Sequence, residues 1–175
     1  MKFVNRISLF AAVLAASACK QAAKQQNIAK NDTAAVKVVG AQVVDTANTA
    51  KVFEAYIGLK NEFLKSDVAG IKVAALVLEG KLAGIKGCSE TASIARKIAA
   101  ATDVKEQRAL FLTLSTDVIA LVKGSKLKAA TIYVDYCPMA DSGKGGYWLS
   151  VDKKIENPYF PEHMKECGSV KEQMN

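Results

Sequence analysis

The chain of 175 residues is 50% apolar and carries 24 Lys and Arg against 17 Asp and Glu, four cysteines, one histidine and one tryptophan. That length suits a single domain, and that apolar content excludes a chain unfolded from end to end. The formal charge of +7 would point to nucleic acid only if it were clustered, and the lysines are scattered, so nucleic acid is not expected as a partner.

Lys2 and Arg6 precede an uncharged apolar run, residues 7–18 (ISLFAAVLAASA), which ends at Cys19. Basic, then apolar, then small is the order of a secretory signal peptide, and about a dozen residues is too short for a helix across hydrocarbon. Ala16-Ser17-Ala18-Cys19 resembles a bacterial lipobox, in which the cysteine becomes the new N-terminus and its sulfur takes a lipid. A plain Ala-x-Ala cut is the alternative and would leave Cys19 as an exported thiol. Residues 1–18 are therefore expected to be a lipoprotein signal peptide and Cys19 a lipidated residue, with the protein in the bacterial periplasm, anchored to a membrane. Cleavage removes Lys2 and Arg6 and no acid, leaving +5 of the +7. Residues 19–47, rich in Ala, Gln and Lys without a period, suit a flexible tether. The folded domain is expected over residues 48–175.

Four helices are predicted first. Val52, Phe53, Tyr56, Ile57, Leu59, Phe63 and Leu64 recur at three- and four-residue spacings, the signature of one apolar helical face. Ser66-Asp67 breaks and recaps the chain. Ile71, Ala74, Ala75, Leu78, Leu82 and Ile85 form the second stripe, with Gly87 available as a C-terminal cap. The third helix, residues 89–101, offers only Ile94, Ala95, Ile98 and Ala99. The fourth opens on Asp103 with Glu106 three residues on, a capping-box pattern, and runs through Leu110, Phe111, Leu114, Val118, Leu121 and Val122 to Gly124. Lys123, Lys126 and Lys128 make the densest basic patch and read as a solvated helix end. Short connections make neighbouring helices antiparallel, so the expected fold is mainly α, an up-and-down four-helix bundle.

After residue 128 the period changes. Ile132, Val134 and Tyr136 alternate with Thr131, Tyr133 and Asp135, a half-buried strand that leaves Asp135 on the surface. A second strand over residues 147–151 follows the turn-forming ADSGKGG, giving a small C-terminal β-hairpin. Pro158 and Pro161 bar a long helix, leaving a short helical turn across residues 162–167.

Sulfur collects at this end, as Cys137-Pro138-Met139 and Met164-Lys165-Glu166-Cys167. Residues two apart on a strand, or three apart on a helical turn, share a face, so each motif can present a thiol with a thioether. Such soft donors select Cu(I) or Ag(I) over Zn(II), Mg(II) or Ca(II). His163 is a weaker candidate ligand, and Cys88, beside Gly87 and without a local partner, reads as a small buried residue. A disulfide between Cys137 and Cys167 competes with the metal reading and would stabilise by roughly 3–4 kcal/mol. No GxSxG or HExxH motif is present and one histidine is a poor basis for acid–base chemistry, so no enzyme is expected.

Tyr136-Cys137-Pro138-Met139, Gly146-Tyr147-Trp148-Leu149-Ser150, Ile155-Glu156-Asn157-Pro158-Tyr159-Phe160, Met164 and Cys167-Gly168, in this order and spacing, resemble a bacterial envelope domain family of unknown function. Its members stand alone or are fused to the periplasmic adaptors of copper/silver tripartite efflux pumps. The resemblance spans residues 50–172 and implies a helical domain with a small β element that handles copper or silver. It implies Cys137, Met139, Met164 and Cys167 as the sulfur positions and Trp148 and Tyr159 as the aromatic ones. This chain departs from the family at Gly87-Cys88-Ser89-Glu90-Thr91-Ala92, where members often carry His and Met, so ligands there are either lost or replaced by Cys88, and at Pro161-Glu162-His163, which either adds His163 as a ligand or reshapes a turn. The expected function is a lipoprotein that binds Cu(I) or Ag(I) for sequestration or hand-over to an efflux adaptor. The alternative is a disulfide-stapled protein-interaction module of the envelope without metal.

Overall fold

A computed structural model describes residues 45–127 and 131–174. The expected signal peptide, Cys19 and the tether up to residue 44 lie outside the described residues, as does Lys128. Four helices come first in the chain: α1 (Thr46–Lys65), α2 (Val68–Ala83), α3 (Ser89–Ala100) and α4 (Val104–Ser125). Among the described residues no helix is long and apolar enough to cross a membrane.

Local chemistry sets each boundary. Asp45 accepts from the amides of Ala47 and Asn48, so α1 begins two residues before the expected domain start. Ser66, in the left-handed region at φ 56°, ends α1, and Asp67 caps α2 through the Ala69 amide. α2 stops at Ala83 with Gly84 as its cap, short of Gly87, which instead takes φ +89° in the following turn. Asp103 accepts from Glu106 N at 2.9 Å, while the Glu106 carboxylate reaches past the cap to the amide of Thr102 at 3.3 Å. α4 runs through Gly124 and closes on Lys126 in the left-handed region.

The apolar stripes meet as predicted. Each helix packs on its neighbour in sequence and α1 closes the ring against α4, the arrangement that short connections between antiparallel helices impose. Tyr56, Phe63 and Phe111 stack at the centre, with ring centroids 5.4 and 4.5 Å from Phe111. Burying such a side chain stabilises by roughly 1.5–3 kcal/mol.

Beyond the bundle lies a three-stranded antiparallel sheet in the order β2-β1-β3, built from β1 (Ile132–Cys137), β2 (Gly146–Ser150) and β3 (Ser169–Met174). The expected hairpin is its first half; β3 is an addition. Its sequence SVKEQM is mostly polar and exposed, so it lacks the apolar alternation that marks a strand and forms because β1 offers a free edge. The connection between β1 and β2 also holds a single turn, α5 (Ala140–Gly143), with Asp141 and Ser142 at positive φ.

The outer edge of β2 faces the bundle. Leu149 N donates to the Tyr56 hydroxyl at 3.3 Å and the Tyr159 hydroxyl donates to Tyr147 O at 2.7 Å. Tyr56 is also within 2.8 Å of Ser115 Oγ.

Residues 162–167 form two short turns, as expected: the Met164 amide bonds Phe160 O at 2.9 Å, the Cys167 amide bonds Met164 O, three residues back, and the Lys165 carbonyl is taken by Asn157 N at 2.8 Å. One local expectation is corrected. Asp135 is wholly buried instead of facing solvent. A bulge between Val134 and Asp135 in the pairing with β3 breaks the alternation, so two consecutive residues of β1 are covered.

Candidate functional site

The sheet and the long segment after β2 bring together two sulfurs that are 30 residues apart. Cys137 ends the central strand, opposite Gly146, and is fully buried. Cys167 directly precedes Gly168 and β3 and is half-buried. Their Sγ atoms lie 3.5 Å apart without a bond, and both are free thiols. The contact with Cys137 holds the Cys167 thiol protonated and pushes its pKa up, with partial burial adding to the effect.

Asn157 fixes the Cys167 half of this pair. It is fully buried; its Nδ2 donates to Cys167 O at 2.9 Å and its Oδ1 accepts from Tyr159 N at 2.9 Å. Gly168, at φ +149°, lets the chain pass closely over the sheet, since a Cβ there would lie 2.9 Å from Tyr136 O and 3.1 Å from the Trp148 ring. Trp148 is buried and meets Tyr159 edge-on at 5.9 Å, and Tyr159 in turn meets Phe111 at 5.9 Å. Both aromatic positions predicted from the sequence therefore form the wall between the thiol pair and the bundle.

Arg108 of α4 ties this segment to the helices. Its guanidinium donates to Pro158 O at 3.0 Å, to Phe63 O at 3.3 Å and to Ser66 Oγ at 2.7 Å, and pairs with Glu162 at 3.3 Å. The hydrogen bond from Ser66 holds the Glu162 carboxyl below its ordinary pKa, with Arg108 adding to it.

The other predicted residues are more dispersed. Met139 lies two residues beyond Cys137 and is 53% exposed. Met164 is half-buried and opens the turn that Cys167 closes, the Cys167 amide donating to its carbonyl at 2.9 Å. His163 is exposed. Cys88 is the N-cap position of α3, outside the thiol pair; partial burial, helped by Asp117, raises its pKa. Among the described residues no group of three or more His, Cys, Asp or Glu side chains is placed to hold a metal ion. A metal on the cysteine pair therefore needs the thioethers as further donors.

Two residues before Cys137 on β1, Asp135, expected on the surface, belongs instead to a buried polar cluster. Asp135 is the cross-strand partner of Trp148, and neither its carboxylate oxygens nor the Trp148 indole N–H has a hydrogen-bond partner. Burial raises the Asp135 pKa from 3.8 to about 7, against the opposing pull of Lys60. Lys60 of α1 is itself buried, which lowers its pKa, while Glu156, Asp152 and Asp135 favour its charged form. A lysine on the apolar face of α1, four residues after Tyr56, was the available signal for this cluster.

The fold and site define a helical-bundle domain extended by a small sheet that carries a close, unbonded thiol pair. Residues 52–130, most of the helical part of the chain, match the family described as "Protein of unknown function (DUF3347)". The match ends before β1, and the two sulfurs lie outside it. No curated protein and no solved structure matches the chain.

Proposed function

We propose that the protein binds a soft metal ion, Cu(I) or Ag(I), at Cys137 and Cys167, with Met139 and Met164 completing the donor set. The observation that carries this reading is the convergence of two unjoined thiols to 3.5 Å from opposite ends of an intervening strand and loop. With metal–sulfur bonds of about 2.3 Å, sulfurs at this separation subtend roughly 100° at a metal, whereas a linear two-thiolate site needs about 4.6 Å. The pair thus suits a three- or four-coordinate ion with added donors. Thiolates with thioethers are the soft set that favours Cu(I) and Ag(I). On this reading the chain is an exported lipoprotein, attached through Cys19, that sequesters the ion or hands it to an efflux adaptor.

A second reading, a protein-interaction module of the envelope, is favoured by one observation. Val73, Leu76 and Val77 of α2 are each more than half exposed, and large apolar side chains clustered on one face mark contact surfaces.

The test is a titration of the reduced full chain with Cu(I) against a chromophoric chelator. One ion per chain is expected. Cys137→Ser, Cys167→Ser and Met164→Leu should each weaken binding, the cysteine variants by about a hundredfold or more, or roughly 3 kcal/mol. Unchanged affinity in the cysteine variants refutes the metal reading.

A further inference from the structure

The spacing of the pair has a second chemical meaning. A disulfide needs its sulfurs about 2.05 Å apart, while two thiolates on one trigonal metal sit roughly 4.0 Å apart. At 3.5 Å the two sulfurs lie between these states, close enough for either and too few to serve both. We propose that Cys137 and Cys167 form a redox gate, in which oxidation to the disulfide expels the ion and reduction restores the site. This rests on the metal reading for its cargo but not for its sulfur chemistry.

The two halves of the gate differ in access. Cys137 is buried and held in the ladder opposite Gly146 of β2. Cys167 is half-buried and follows a turn, so it is the sulfur that an incoming oxidant meets. With a small-molecule disulfide RSSR as oxidant, the Cys167 sulfur, having lost its proton, attacks one sulfur of RSSR. A Cys167–SR mixed disulfide forms and the first RS⁻ leaves with the S–S electron pair and takes up that proton. Cys137, deprotonated in turn, attacks Cys167 Sγ. The Cys137–Cys167 bond forms, the Cys167–SR bond breaks, and the second RSH departs. Two protein thiols lose two electrons and two protons, and RSSR becomes two RSH. Cys137 is therefore the resolving sulfur, which explains a thiol kept within reach of Cys167 yet away from solvent.

Trp148 reports the event, because its ring lies against the Gly168 backbone, one residue from Cys167, and it is the one tryptophan of the chain. The full chain is equilibrated in buffers of reduced and oxidised glutathione, followed by Trp148 fluorescence, by mass and by peptide mapping, and each form is titrated with Cu(I). The wild type should lose two protons of mass, yield a linked Cys137–Cys167 peptide and change its fluorescence in step. Cys137→Ser should stop at a glutathione adduct on Cys167. The oxidised form should bind Cu(I) at least about a hundredfold more weakly, with recovery on reduction. A wild type that stays at the glutathione adduct, or that links between chains, overturns the sulfur chemistry whatever the metal result. A disulfide that forms as described while reduced and oxidised protein bind Cu(I) equally overturns the gate. Absence of binding to the reduced form overturns the metal reading and the gate with it, while the mass data still decide the disulfide separately.

Discussion

Removing the side chain of Asn157 should loosen the gate while leaving both thiols in place. Asn157→Ala strips the Cys167 carbonyl of its donor and the Tyr159 amide of its acceptor. Each buried backbone group left unsatisfied costs about 1–3 kcal/mol, so a loss of about 2–6 kcal/mol is expected for the two. Asn157→Asp separates the two contributions: the acceptor for Tyr159 N remains, but a carboxylate oxygen replaces the donor and faces the Cys167 carbonyl. The assay is urea unfolding of both variants, paired with the rate at which the Cys137–Cys167 disulfide closes in oxidised glutathione. Asn157→Ala should lower the unfolding midpoint and slow resolution of the mixed disulfide, because Cys167 is no longer held near its partner. Wild-type stability together with wild-type closure in Asn157→Ala would refute the claim that this side chain positions Cys167.

Other perturbations have definite signs. Asp135 binds its proton more tightly folded than unfolded, so between pH 3.8 and about 7 the folded state holds more protons and stability falls as pH rises through that window. The ceiling is about 4 kcal/mol. Asp135→Asn should flatten the denaturation midpoint between pH 5 and 8, and a slope equal to wild type would exclude Asp135 as its source. Gly168→Ala places a methyl against Tyr136 O and the Trp148 ring at positive φ and should cost about 1–3 kcal/mol, read by thermal unfolding. Arg108→Met removes four contacts between α4, the end of α1 and the segment after β2. It should destabilise by about 1–3 kcal/mol and speed proteolysis within residues 151–168, and resistance equal to wild type would argue against the tie.

The bundle was legible because its stripes are long and its caps are local chemistry: Asp67 and Asp103 each satisfy amides within three residues. The cysteine convergence was legible only as a possibility, since spacing along a chain does not give spacing in space. β3 escaped because its residues earn their place through backbone pairing with β1, which leaves no apolar period in SVKEQM. Asp135 was misplaced by the rule of alternation, which a bulge suspends. Asn157 offered a clue in its Asn-Pro step, a turn signal, but nothing local says that the turn would grip the residue ten positions on.

The tyrosine hydroxyls on β2 bear on how the protein meets others. An edge strand with bare amides and carbonyls invites further strands, in aggregates or in complexes. On the outer side of β2, Tyr56 of α1 takes the Leu149 amide and Tyr159 of the segment after β2 occupies the Tyr147 carbonyl, so that edge is closed by two phenols. Growth of the sheet past β2 would first require breaking both bonds and parting the strand from α1. Contacts with another protein must therefore be made by side chains there and not by strand addition, and replacing both tyrosines with phenylalanine would reopen that edge while keeping the aromatic packing.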